Sequence, residues 1–207
     1  MKKLSVALIL AIYIATFVLL GPASAGGIFK FRGEGASAIF SSLDGSGCVW
    51  TDVYINPNEG IFQSPPGKGS TSSGVYMFIS QYDGCTGTQL IAAEGFASLA
   101  AADFQVFGNL SSADLNATVT LFDYVSGTYF DVFADLTWTG TGEIHRQSSN
   151  SHFSSPGCKV HSRFNGSFRP AVATGTVSDG STNFTPEPSW GYDIYSSKNG
   201  EVFIGCN

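Results

Sequence analysis

Phe130-Asp131-Val132-Phe133-Ala134-Asp135-Leu136-Thr137-Trp138 is the stretch on which the fold reading turns. Phe130, Val132, Ala134, Leu136 and Trp138 share one side of an extended chain, and Asp131, Asp135 and Thr137 share the other, with Phe133 among them. That period of two marks a half-buried antiparallel strand. Upstream, Leu115, Ala117, Val119 and Leu121 alternate with Asn116, Thr118 and Thr120 in the same way. Val125-Ser126-Gly127 separates the two runs and reads as a hairpin turn, with Gly127 at positive φ.

Working outward, the same layout recurs about 80 residues earlier. Residues 36–43 and 48–55 flank a turn at Asp44-Gly45-Ser46-Gly47, and Ser46-Gly47 matches Ser126-Gly127. Ala93, Gly95, Ser98 and Phe104 match Ala173, Gly175, Ser178 and Phe184. A truncated third copy runs from 192 to 196, turns at Lys198-Asn199-Gly200 and ends over 201–206. Further strands are predicted at 75–82, 89–97, 104–107, 159–164 and 168–177. Val75-Tyr76-Met77-Phe78-Ile79 is apolar on both faces, so it reads as a central strand covered on both sides. Residues 56–73 and 140–156 lack periodicity and read as loops, and residues 98–103 offer no more than a turn of helix. The fold class expected is all-β: an antiparallel β-sandwich of two related units, 26–110 and 111–207, as tandem sandwiches or one continuous double unit. This pattern is generic among extracellular β-sandwiches and carries no activity by itself.

Residues 1–25 read as a signal peptide. Lys2 and Lys3 precede an uncharged stretch from 4 to 20, Gly21-Pro22 breaks it, and Ala23-Ser24-Ala25 is a small-x-small cleavage pattern. An uncleaved anchor is the competing reading, because the stretch approaches spanning length. The mature chain is more acidic than the net charge of −6 for the whole sequence, since cleavage removes two lysines. That excludes general nucleic-acid binding, which needs a basic field. The four cysteines, Cys48, Cys85, Cys158 and Cys206, are expected to form two disulfides outside the cytoplasm. Of three connectivities, Cys48–Cys85 with Cys158–Cys206 keeps each bridge within one copy. The sequence contains no Cys-x-x-Cys, which argues against structural zinc.

Charge is segregated along the chain. From Gly69 to Ile144 there is no Lys or Arg, whereas from His145 to Arg169 there is no acid and all three histidines occur. Alternation puts Lys159, His161 and Arg163 on one strand face opposite Val160, Ser162 and Phe164. With a three-residue turn at Asn165-Gly166-Ser167, Arg169 joins them diagonally in a compact cationic patch. Such a patch suits a sulfated, phosphorylated or carboxylated polymer or a cell-surface protein; the plain alternative is a solvated strand face.

Other constellations are weaker. The histidines follow no metal-ligand spacing, and neighbouring cations oppose an ion, so no metal site or cofactor is expected. Asp131 and Asp135 stand about 13 Å apart on one strand, too far for shared calcium or a glycosidase pair. A secreted hydrolase, with carboxylates converging from different strands, is the alternative function. No nucleophile elbow or phosphate loop occurs. Trp50 is the tryptophan expected at the surface, while Trp138 falls in the core set and Trp190 beside a Pro-rich turn. Asn109, Asn116, Asn165 and Asn183 head glycosylation sequons.

Overall fold

The computed structural model describes residues 27–63, 70–155, 158–185 and 193–206. The expected signal peptide and Trp190 lie outside the described residues. Ten strands are present among those described: β1 (Gly27–Leu43), β2 (Val49–Gln63), β3 (Ser70–Asp83), β4 (Thr88–Ser98), β5 (Phe104–Phe107), β6 (Ser112–Asp123), β7 (Thr128–Gly140), β8 (His145–Ser155), β9 (Cys158–Ser178) and β10 (Asp193–Cys206). No helix occurs among the described residues, and every strand pairing is antiparallel.

The strands belong to one sheet rather than to two packed sheets. Its path runs β10-β1-β2-β3-β4-β6-β7-β9-β8, and β10 also pairs with β9. The circuit β1-β2-β3-β4-β6-β7-β9-β10 therefore returns to β1 as an eight-stranded barrel, with β5 beside β6 and β8 beyond β9. Closure removes the edges that an open sandwich would expose.

The residues that decided the reading build the wall as their alternation demands. On β7, Val132, Ala134, Leu136 and Trp138 are buried, and Asp131, Phe133, Asp135 and Thr137 are exposed. On β6, Leu115, Ala117, Val119 and Leu121 turn inward in the same manner. Their partners around the circuit include Ala36, Ala38, Val53, Ile55, Met77, Ile79, Ala173 and Ile194, all in one apolar cluster. Small residues on β1 and β9 leave room for large ones. The Trp138 indole crosses the interior to donate Nε1–H to the Ser37 carbonyl at 2.9 Å. The sequence boundary near residue 110 falls between β5 and β6, which pair with each other.

One end of the barrel carries three matching turns. Gly47, Gly87 and Gly127 all take φ between 71° and 75°, each after Ser or Thr, and their amides bond back to the carbonyls of Asp44, Asp83 and Asp123. The 80-residue match of Ser46-Gly47 with Ser126-Gly127 thus passes over an intermediate turn at Thr86-Gly87, midway between them.

Four expected breaks are strand instead. β2 extends to Gln63 and β3 begins at Ser70, inside the expected loop 56–73. β8 occupies most of 140–156. β9 runs unbroken through Asn165-Gly166-Ser167, and β10 passes Lys198-Asn199-Gly200 with a bulge rather than a turn. Gly60, inside the expected loop, and Gly74, just after it, lie under aromatic rings: a side chain at Gly60 would strike Phe31, and one at Gly74 would strike Phe96. Glycine in these strands admits close approach rather than a turn.

Beyond the core the barrel opens. Residues 70–73 of β3, the end of β2, the start of β1, most of β10, residues 158–169 of β9 and all of β8 continue as an open six-stranded sheet. Ala171 and Ala173 of β9 are buried, and the same alternation carries Arg163, His161 and Lys159 along that face to where it is open to solvent.

Candidate binding face

The β8–β9 hairpin displays the sequence-predicted cations. Lys159, His161 and Arg163 are exposed at alternate positions of β9, and span about 13 Å. Their β8 partners are Ser154, His152 and Asn150, and their β10 partners are Gly205, Phe203 and Glu201. In the same register Arg146 is opposite Ser167, so Arg146 and His152 join this face from β8. Neither was assigned there from sequence, because β8 reads as loop. Its Ser-Ser-Asn-Ser run has no apolar alternation to reveal a strand. The Ser151 and Ser162 hydroxyls, 2.6 Å apart, tie the hairpin together.

Arg169 does not close up on Arg163. With β9 continuous, the two are six residues apart, about 20 Å. Arg169 donates Nε–H to the Gly142 carbonyl at 2.9 Å and so fixes the link between β7 and β8. The compact four-residue patch is thus a linear three-residue row, extended sideways onto β8.

The outward face of the neighbouring strands β6 and β7 is acidic. Asp114, Asp131 and Asp135 project outward from β6 and β7, with Asp131 accepting from the Thr120 hydroxyl at 2.6 Å. Asp103, Gln105, Asp114, Asn116, Asp135 and Thr137 line a groove of about 290 Å³. Register pairs Asn116 with Asp135 and Asp114 with Thr137, making Asp114 and Asp135 diagonal neighbours from different strands. Among the described residues no helix is long and apolar enough to cross a membrane.

The fold also tunes carboxyls for structural ends. Asp123 is buried at the short seam between β4 and β6, where it accepts from the amides of Ala92, Val125 and Ser126. Burial pushes its carboxyl up, but these bonds outweigh it and hold it below its ordinary value. Glu59 faces Glu34 across β1 and β2, and burial together with that like charge pushes it up. Glu94 is held down by the hydroxyls of Tyr124 and Tyr76, which donate to it at 2.5 and 2.6 Å. Around it Phe96 and Tyr129 are exposed, and Trp50 is exposed as expected.

Cys48 and Cys85 form the first expected disulfide, joining two of the three matching turns. With Asp83 they are the group of three metal-type donors that lies close together among the described residues, but both sulfurs are already bonded to each other. Cys158 and Cys206 are partners in the β9–β10 register, while their side chains lie outside the described residues. Comparison with family models, with characterised proteins and with solved structures finds no match to this chain.

Proposed function

We propose that the chain is an exported β-barrel binding module that acts outside the cytoplasm and contacts an acidic surface polymer through the β8–β9 hairpin. The observation that carries this reading is the exposed row Lys159-His161-Arg163, flanked by Arg146 and His152, on a hairpin without a single acid. The barrel supports it from the other side. Its interior is filled by Trp138, Phe104, Leu136 and their neighbours, leaving the surface for the ligand. Arginine offers paired donors to sulfate or carboxylate groups, and a linear row suits a repeating chain. The disulfide fits an oxidising compartment, and a cleaved signal at 1–25 is the proposed route there.

The purified chain from residue 26 should bind a sulfated or carboxylated polysaccharide in low salt. Binding should fall by about tenfold or more in Lys159→Ala/Arg163→Ala, the equivalent of about 1.4 kcal/mol, and weaken steeply with added salt. Salt-insensitive binding, or none across an acidic panel, would overturn the proposal. A second reading is a hydrolase using Asp114 and Asp135, favoured by the groove and their diagonal placement. Diagonal cross-strand neighbours stand about 7–8 Å apart, inside the range of inverting carboxylate pairs. It ranks second because both acids are exposed on the wall of the sheet. Glycan cleavage abolished by Asp114→Asn and by Asp135→Asn would establish it.

A further inference from the structure

His152 and His161 are separated by eight residues of intervening chain, yet the hairpin register makes them direct cross-strand partners. Their ring centroids lie 4.1 Å apart with the planes tilted by 50°. Both side chains are exposed. We propose that this pair is a two-imidazole site for a borderline divalent transition-metal ion, copper(II), nickel(II) or zinc(II). It stands independently of the polymer reading, since it needs no polymer and no catalytic group.

The chemistry follows from the ligand type. An imidazole nitrogen binds these ions at about 2.0–2.1 Å, so two rings on one ion need their nitrogens about 3 Å apart. Rings tilted by 50° with centroids 4.1 Å apart reach that arrangement by side-chain rotation that opens them by about an ångström. Direct cross-strand partners hold side chains closest, which makes the second bond intramolecular. Water completes the coordination shell, and calcium and magnesium, which require oxygen ligands, are excluded.

The surroundings set the limits of the site. Lys159 and Arg163 flank His161 on β9, and Asn150 and Ser154 flank His152 on β8. From β10, Phe203 packs edge-on against His161 at 6.3 Å, with Glu201 one pair further along. The two cations, each two residues away and so about 7 Å along the strand, oppose a metal ion and weaken the site without abolishing it, because water lies around these exposed charges. His145, on the other face of β8, stacks on Phe168 and stands outside the pair. A bound ion would clamp β8, the terminal strand of the sheet, onto β9.

The test is a titration of untagged chain from residue 26 with zinc chloride and then copper(II) chloride, followed by calorimetry and by the imidazole proton resonances. One equivalent should bind; zinc should shift the His152 and His161 resonances and leave His145 in place, and calorimetry should show copper(II), which broadens rather than shifts nearby protons, binding tighter than zinc. His152→Ala and His161→Ala should each lose about a hundredfold in affinity, His145→Ala none, and Arg163→Gln should bind a few-fold tighter as the opposing charge is removed. Binding unaltered in His152→Ala or His161→Ala, or unshifted resonances of the wild-type pair with zinc in excess, would overturn the proposal. The resonance readout needs no variant to fold.

Discussion

Trp138 and Ser37 are joined by a hydrogen bond of 2.9 Å across the interior, although β7 and β1 are not neighbours in the sheet. Two strands, β9 and β10, separate them around the circuit. The bond spans the interior from one wall of the closed sheet to another. Trp138 is fully buried, so its removal both empties the largest core site and leaves the closure unbraced. Trp138→Ala should destabilise by about 3–5 kcal/mol, and Trp138→Phe by about 1–2 kcal/mol from lost volume and one hydrogen bond. Urea denaturation would read both, and an unchanged midpoint in Trp138→Ala would contradict the packing described.

The disulfides make a separate prediction. Cys48–Cys85 closes 37 residues of chain, which in the chain-entropy picture is worth about 3–4 kcal/mol. Cys48→Ser/Cys85→Ser should lower the thermal midpoint by about 8–15 °C for a domain of this size. Cys158 and Cys206 are register partners, so a second bridge is expected between them. Intact mass should show that none of the four cysteines alkylates before reduction and all do afterwards. Two alkylated residues without reductant would refute the second bridge.

Acid should reveal two carboxyls of opposite sign. Asp123 is held below its ordinary value, so its contribution is complete above about pH 3.8 and is lost as pH falls through its lower folded value. Asp123→Asn should cost about 1–3 kcal/mol at neutral pH and progressively less below pH 4. Glu59 is pushed up by burial and Glu34, so its charged form weakens the fold, and the penalty is complete only above its raised value. Glu59→Gln should therefore stabilise at neutral pH by about 0.2–1 kcal/mol, with no gain well below pH 4.5. Denaturation midpoints across pH 2–8 would distinguish the two slopes.

The barrel wall was legible wherever alternation was strong. Residues 115–121 and 130–138 announce β6 and β7, including the burial of Trp138 and the exposure of Phe133. Closure was not legible, because it depends on β10 pairing with both β1 and β9, contacts between chain ends that no local pattern encodes. β8 was missed because both faces of its ladder are polar, which removes the period of two. That omission hid Arg146 and His152, and with them the lateral extent of the cationic face. The basic segment itself was visible as a change in charge, yet its geometry hinged on whether Asn165-Gly166-Ser167 turns. It continues as strand, and Arg169 is spent on the Gly142 carbonyl.

Amide resonance mapping with a sulfated oligosaccharide tests the proposed binding face most directly, because it reports the hairpin and the acidic groove in one spectrum. Shifts should concentrate on Arg146, His152, Lys159, His161 and Arg163, and should disappear in high salt. Shifts confined to Asp103, Asp114 and Asp135, or none on residues 145–163, would contradict a ligand held by the β8–β9 hairpin.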